Sequence, residues 1–165
     1  AVNAAALATA AYLVPGDVTA TIHAGMGDLP HFNPDDDREP LPSSVASLRT
    51  AVEQADAVLI STPEYAGALP GSFKNLLDWT VGGGQTYEMP VAWINVSGKA
   101  APSGGVDAHD SLRKVLGYTG SKIVEDACLR LPLARADVGE DGLIAPPEAR
   151  EQIVAAMTAL AAAVG

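Results

Sequence analysis

Short apolar runs alternate with segments of helical periodicity along the chain. Residues 57–61 (AVLIS) and 90–96 (PVAWINV) are apolar without alternation, which is typical of strands covered on both faces of a parallel sheet. Residues 121–131 predict another strand. Residues 18–23 (VTATIH) predict a short edge strand, because β-branched and small residues alternate there.

Helices are predicted between and around these strands. Val45, Leu48 and Val52 recur at helical spacing after Ser43 and Ser44, which offer an N-cap. Strands that alternate with helices imply right-handed crossovers and a doubly wound α/β fold, in which ligands bind beyond the carboxyl ends of the strands. The predicted helices cover residues 2–13, 43–55, 71–80, 106–116 and 146–164.

Composition narrows the class of protein. A length of 165 residues fits a single domain over residues 1–165. The net charge of −10 would repel nucleic acids and anionic lipid surfaces, so neither nucleic acid nor a membrane is expected as a partner. The one cysteine, Cys128, cannot form an internal disulfide, which indicates a reducing, cytoplasmic compartment.

Familiar catalytic and metal-binding motifs do not occur in the sequence. The nucleophile elbow G-x-S-x-G, the Walker pattern and the dinucleotide pattern G-x-G-x-x-G are not found. His23, His31 and His109 are far apart and form no zinc motif, so we expect no metal site and predict that these histidines face solvent or cap helices.

The loop after the strand at residues 57–61 is the strongest candidate site. Pro63 stiffens this loop and Gly67 permits a sharp turn. Backbone N–H groups of residues 64–67 could bind the carbonyls and ring nitrogens of a planar heterocycle, with Tyr65 as an aromatic wall. An ordinary strand-to-helix loop explains the same composition equally well.

The segment of residues 61–79 resembles the NADPH-dependent FMN reductases of flavodoxin-like fold, a family that includes quinone, azo-dye and chromate reductases. The family's hallmark has the form T-P-E-Y-N-x-x-x-P-G-x-x-K-N-x-x-D-W. The resemblance implies a doubly wound parallel sheet of strand order 2-1-3-4-5. The chain matches the hallmark at Thr62, Pro63, Glu64, Tyr65, Pro70, Gly71, Lys74, Asn75, Asp78 and Trp79.

The same resemblance implies a set of FMN-binding residues. Ala66 stands where the family often has Asn, so one side-chain contact near the flavin would be lost. The family's phosphate loop has the form G-S-x-R-x-x-S-x-N, and Asn3 would be its last residue. The rest of this loop and the first strand would precede Ala1, so about 15 further residues are expected there. The implied FMN contacts are Asn3, Pro63, Glu64, Tyr65, Ala66, Gly67, Ser97 and Gly98.

By this resemblance the protein is expected to be an oxidoreductase that takes hydride from NADPH or NADH onto FMN. Electrons would then pass to a small-molecule acceptor such as a quinone, free flavin, an azo dye or a metal oxyanion. Because the cofactor carries the chemistry, no catalytic protein residue is expected. Lys99 is a candidate to attract the anionic nicotinamide cofactor to this acidic chain.

A homodimer or tetramer is implied, with the helix of residues 71–80 at the interface. Phe73 and Trp79 fit such an interface and the core equally well, whereas Lys74 and Asp78 have the i,i+4 spacing of a local ion pair. Two alternatives remain open at this point. One is an electron carrier or flavin-binding redox sensor without turnover, which the acidity favours. The other is a dimeric scaffold that has lost flavin binding.

Overall fold

The computed structural model describes residues 2–165 and confirms the α/β class. Within those residues four parallel strands form one sheet, in which β2 (Pro90–Ser97) is central. On one side β2 pairs with β1 (Val58–Thr62). On the other side of β2, its first residues pair with β3 (Lys122–Ile123) and its last residues pair with β4 (Leu129–Pro132).

Helices cover both faces of this sheet. α1 (Val2–Tyr12) and α5 (Pro147–Ala162) pack on one face, where Ile94 and Val96 of β2 are buried. α3 (Gly71–Val81) and α4 (Val106–Tyr118) pack on the other face, against Val91 and Trp93. Six of the eight β2 residues are buried, which explains why its sequence is apolar without alternation.

A long loop precedes α2 (Ser43–Glu53) and packs against α2 and α3. Short 3-10 turns at Gly25–Asp28 and Pro34–Asp36 lie within it. The N-cap prediction for α2 is wrong, because the helix begins at Ser43 and the preceding Pro42 has no side chain that can accept a hydrogen bond. No helix among residues 2–165 combines the length and hydrophobicity that a bilayer crossing demands.

The prediction of a strand at residues 18–23 is wrong. The segment forms no strand, and its residues 19–23 are exposed. A strand needs ladder hydrogen bonds to a neighbour, and no strand of the described chain pairs with this segment. The full order 2-1-3-4-5 is therefore not confirmed, since the observed neighbours are β1, β2 and then β3 with β4.

The single strand predicted at residues 121–131 is divided in two. Ile123 lies opposite Val91 and Leu129 lies opposite Ile94, so residues 124–128 leave the sheet. They form a 3-10 turn at Glu125–Ala127, with Ala127 fully buried beside Ala92 and α5. The turn contains two exposed carboxylates, Glu125 and Asp126, and only Ala127 of its residues is buried, so the charged pair inside the apolar segment marks the interruption.

Candidate functional site

The carboxyl ends of β1 and β2 lie side by side and lead into two loops. Thr62 at the end of β1 is in register with Asn95 of β2. The β1 loop runs through residues 63–70 to α3, and the β2 loop runs through residues 98–105 to α4. Residues far apart in sequence therefore meet at one edge of the sheet, where α/β folds bind ligands.

The β1 loop contains a closed two-residue turn. Tyr65 N–H donates to Ala68 O over 3.0 Å, and Ala68 N–H donates back to Tyr65 O over 3.1 Å. Ala66 has φ 51° and Gly67 has φ 73°, and two successive positive φ values define a type I′ turn. The N–H groups of residues 66 and 67 have no backbone partner within the described chain, so they are free to bind a ligand.

Ala66 is poorly suited to this turn, because a left-handed φ favours Gly or Asn over a residue with an apolar Cβ. We expect Ala66→Asn to raise the free energy of unfolding by about 0.5–1 kcal/mol, measured by urea denaturation. Ala68→Asn is the matched control in the same turn, because Ala68 does not have a positive φ. A stability gain at both positions, or at neither, would contradict this explanation.

The Glu64 carboxylate joins the β1 loop to the β2 loop. One oxygen accepts a hydrogen bond from Ser103 Oγ, and the other accepts from the backbone N–H of Ala108 over 2.9 Å. Ala108 lies in the first turn of α4, so Glu64 acts as that helix's N-terminal cap. The Ser103 hydroxyl, followed by the α4 backbone N–H groups, holds the pKa of Glu64 below its ordinary value.

Asn95 lies beneath the two loops and is fully buried. Its Nδ2 donates to Thr62 O over 2.8 Å, which ties the end of β1 to β2. Its Oδ1 has no hydrogen-bond partner in the described part of the chain and lies against Gly105, where an added Cβ would be only 1.7 Å away. Gly105, with φ 85°, is therefore required for both its conformation and its contact.

The surface above β2 is open at Ser97 and Gly98. A Cβ added to Gly98 would meet no atom within 4 Å, and one added to Gly67 would meet only Asp107 Oδ2, at 3.8 Å. Gly98 N–H has no backbone partner within residues 2–165. Backbone donors without a backbone partner in the described chain thus lie in both loops at this edge of the sheet, which suits a flat heterocycle.

Asn3 reaches the same edge from α1. Its Oδ1 accepts hydrogen bonds from Ser61 Oγ over 2.9 Å and from Val96 N–H over 3.3 Å. The start of α1 is therefore fixed at the carboxyl ends of both β1 and β2. Because a helix N-terminus favours anions, this position suits a phosphate group.

Hallmark residues of α3 hold the long loop in place. The Asn75 side chain accepts from Phe32 N–H over 2.8 Å and donates to Pro30 O over 2.9 Å. Trp79 Nε1 donates to Pro30 O over 2.8 Å. Trp79 is fully buried and packs edge-on against Phe32, so this residue belongs to the core.

The same loop is fastened by a mostly buried ion pair. Arg49 Nη2 lies 2.7 Å from Asp37 Oδ1, and the side chains are only 11% and 15% exposed. The Arg49 guanidinium also donates twice to Trp79 O, over 2.9 and 2.8 Å. On the exposed side of α3, Lys74 and Asp78 form the predicted ion pair, 2.7 Å apart.

His109 is neither a helix cap nor fully exposed, so its predicted role is wrong. Its Nδ1 accepts a hydrogen bond from the buried Trp93 Nε1 over 2.8 Å. Indole nitrogen is only a donor, so Nδ1 is unprotonated and the ring's proton lies on Nε2. Burial, followed by the charges of Arg113 and Arg130, lowers the pKa of His109.

The sequence placed Cys128 in a strand, and this prediction is wrong. Cys128 follows the 3-10 turn and precedes β4. Burial raises the pKa of its thiol to about 11. Nucleophilic chemistry needs the thiolate, so Cys128 is a small half-buried hydrophobic residue and not a reactive group.

The structure brings all eight residues implied for the site to one edge of the sheet. Sequence analysis missed the side chains that fix this edge. One signal was available, because a lone amide in the apolar run PVAWINV must be hydrogen-bonded when it is buried. The missed contacts are those of Asn95, Ser103 and His109, together with the capping role of Glu64.

Comparisons with known proteins agree with this architecture. The chain is similar to FerB, a flavoenzyme NAD(P)H:(acceptor) oxidoreductase from Paracoccus denitrificans, with a TM-score of 0.81 and 25% identity over 98% of this chain and 91% of that one. An oxidoreductase from Corynebacterium diphtheriae shares the fold, with a TM-score of 0.60 and 19% identity over 99% of this chain and 84% of that one.

Sequence relatives carry similar names. An NADPH azoreductase of Bacillus sp. is 33% identical over 69% of this chain and 63% of its own length. A quinone reductase of Pseudomonas putida is 32% identical over 66% of this chain and 56% of its own length. The chain thus spans about half of the curated relatives that it matches. The family model described as NADPH-dependent FMN reductase matches residues 2–135, and the chain therefore belongs to this family.

Proposed function

We propose that the protein is an FMN-dependent NAD(P)H oxidoreductase whose final acceptor is a small molecule such as a quinone, free flavin, an azo dye or a metal oxyanion. The observation that carries the proposal is that the loops after two adjacent strands, β1 and β2, have backbone N–H groups without a backbone partner in the described chain, at the type I′ turn and at Gly98. Family membership and the names of the relatives favour an enzyme over an electron carrier.

The residues at this edge fit FMN. Bound FMN would supply the hydride acceptor and the store of two electrons. One edge of the isoalloxazine ring would bind the backbone of the β1 loop, at Pro63, Glu64, Tyr65, Ala66 and Gly67. The backbone of Ser97 and Gly98 would approach the ring from the end of β2. Asn3 would stand beside the phosphate at the start of α1, where the helix N-terminus favours an anion.

Protein side chains in this proposal position the cofactor and do not react. Glu64 holds the two loops together as an ionised carboxylate, and Asn95 holds the strand ends below them. Tyr65, which is 63% exposed, is free to cover a ring or a partner surface. Hydride transfer to the flavin needs no protein acid or base, so the rate is expected to depend on binding and orientation.

We also propose a homodimer or tetramer of single-domain subunits in the cytoplasm, assembled through the exposed side of α3. Phe73 and Leu76 are half-buried there, and Val81 is 61% exposed. Trp79 is excluded from that interface because it is fully buried within its own subunit. Sedimentation velocity of the purified protein measures the assembly, and a monomer would contradict this part of the proposal.

The visible absorption spectrum and NADPH oxidation together test the function. We expect the protein to bind FMN, with the absorption bands of an oxidised flavin, and to oxidise NADPH or NADH continuously when a quinone is present. FMN binding without turnover would instead support the alternative of an electron carrier or redox sensor. A protein that binds no FMN would contradict the proposal and support the alternative of a dimeric scaffold that has lost flavin binding.

A further inference from the structure

A nicotinamide dinucleotide carries at least two negative charges and must approach a chain whose net charge is −10. Long-range attraction cannot recruit such a ligand, so local cations near the two loops have to bind its phosphate groups. Lys99, the candidate from the sequence, is exposed in the β2 loop. A second candidate, a pair of donors, lies behind the β2 loop.

Arg130 is the available cation at that position. It lies opposite Asn95 in the register of β4 and β2, so its side chain is on the α4 face of the sheet, as are Asn95 and Trp93. A Cβ added to Gly104 would lie 3.9 Å from Arg130 Nη1, which places the guanidinium beside the β2 loop. Within residues 2–165, Arg130 is in no ion pair.

The neighbouring Arg113 is already neutralised. It forms two hydrogen bonds with Glu125, of 3.0 and 2.9 Å, and lies 3.3 Å from Asp110. Its guanidinium also lies 5.7 Å from the centroid of the Trp93 ring. These contacts fix Arg113 as a structural residue, whereas Arg130 has no ion-pair partner among residues 2–165.

His109 provides a second donor, close enough to Arg130 for that charge to contribute to the lowering of its pKa. Its main chain bonds to Gly105, the last residue of the β2 loop, through an N–H···O contact of 3.1 Å. Because Trp93 occupies Nδ1, the half-buried ring carries its proton on Nε2, which makes Nε2–H a neutral donor. A guanidinium beside an N–H donor matches the acceptor oxygens of a phosphate.

We propose that Arg130 and the Nε2–H of His109 bind a phosphate group of the nicotinamide dinucleotide, at the back of the β2 loop. This inference rests on the proposed function and adds to it the residues that recruit the hydride donor. The dinucleotide's phosphates are remote from the atoms that exchange hydride. Their binding is therefore expected to be equal in the ground state and the transition state, so it affects KM and not kcat.

The test compares Arg130→Gln with Lys114→Gln, which removes the same charge from an exposed position of α4. With FMN and a neutral quinone, we expect Arg130→Gln to raise the KM for the dinucleotide about tenfold, with kcat within about twofold of wild type. Lys114→Gln is expected to match wild type. An effect on NADPH alone would identify the 2′-phosphate, and an equal effect on NADH would identify the diphosphate.

A binding measurement separates this inference from the proposed function. Titration with ADP-ribose, which cannot accept hydride, is followed by the fluorescence of tryptophan, since Trp93 contacts His109. We expect Arg130→Gln to bind ADP-ribose with about tenfold lower affinity than wild type. Arg130→Lys is expected to have an affinity between those of wild type and Arg130→Gln. Wild-type protein that binds ADP-ribose without oxidising NADPH would contradict only the proposed function.

Two results would overturn the inference itself. Equal KM values and equal ADP-ribose affinities in Arg130→Gln and Lys114→Gln would show that Arg130 binds no dinucleotide. Weaker FMN binding in Arg130→Gln, with an unchanged KM for the dinucleotide, would assign the guanidinium to the phosphate of the flavin.

Discussion

Asp37→Ala is expected to lower the free energy of unfolding by about 2–4 kcal/mol, because it leaves the mostly buried Arg49 guanidinium without its counter-ion. The two hydrogen bonds from Arg49 to Trp79 O remain, so the loss falls below that of an isolated buried charge. Chemical denaturation of the purified variant measures it. The adjacent Asp36 is exposed and forms no ion pair in the described chain, which makes Asp36→Ala the matched control, expected to change stability little.

A substitution at Gly82 gives an independent test of the same contact. A Cβ at this position would lie 1.9 Å from Asp37 Oδ2, so alanine must displace the carboxylate from Arg49. Gly82 has φ −64° and ψ −31°, a helical conformation in which alanine is normally more favourable than glycine. We therefore expect Gly82→Ala to destabilise the protein, and a gain in stability would show that the ion pair contributes little.

Glu64→Ala is expected to weaken FMN binding about tenfold and to lower the free energy of unfolding by about 1–2 kcal/mol. The substitution removes the acceptor of both Ser103 Oγ and Ala108 N–H, so the two loops lose their connection and α4 loses its cap. Flavin fluorescence titration measures the affinity. Glu148→Gln, at an exposed first-turn position of α5, is the control and should leave both quantities unchanged.

The pH dependence of Glu64→Gln distinguishes the charge from the shape of this side chain. Since the pKa of Glu64 is lowered in the folded state, its contribution to stability is complete above the ordinary carboxyl pKa of about 4.3 and is lost as the pH falls through the lowered value. The difference in Tm between wild type and Glu64→Gln should therefore shrink between pH 6 and pH 3. A constant difference would mean that the carboxylate charge is not involved.

The sheet and the helices next to the site follow from local sequence patterns. β1 and β2 were predicted within a residue or two, because strands buried on both faces are uninterrupted apolar runs. α3 begins at Gly71 as predicted, after the helix-starting pair Pro70-Gly71. The ion pair of Lys74 and Asp78 follows from i,i+4 spacing alone.

The features that sequence reasoning missed all depend on partners distant in the chain. Glu64 caps a helix that begins 42 residues later at Val106, and Arg49 finds Asp37 across a folded loop. Residues 18–23 have the composition of a strand, but composition does not provide a neighbour to pair with. Pairwise contacts of this kind leave no periodic signal in a single sequence.

The anchoring of the long loop by Asn75 and Trp79 has a consequence for how this family can diversify. Asn75 binds the carbonyl of Pro30 and the N–H of Phe32, Trp79 binds the same carbonyl, and these hydrogen bonds do not involve the side chain of the exposed His31. A loop held by its backbone keeps its course while the side chain at its tip varies. Position 31 can therefore change the chemistry of this surface at little cost in stability, as hypervariable loops do on an antibody framework.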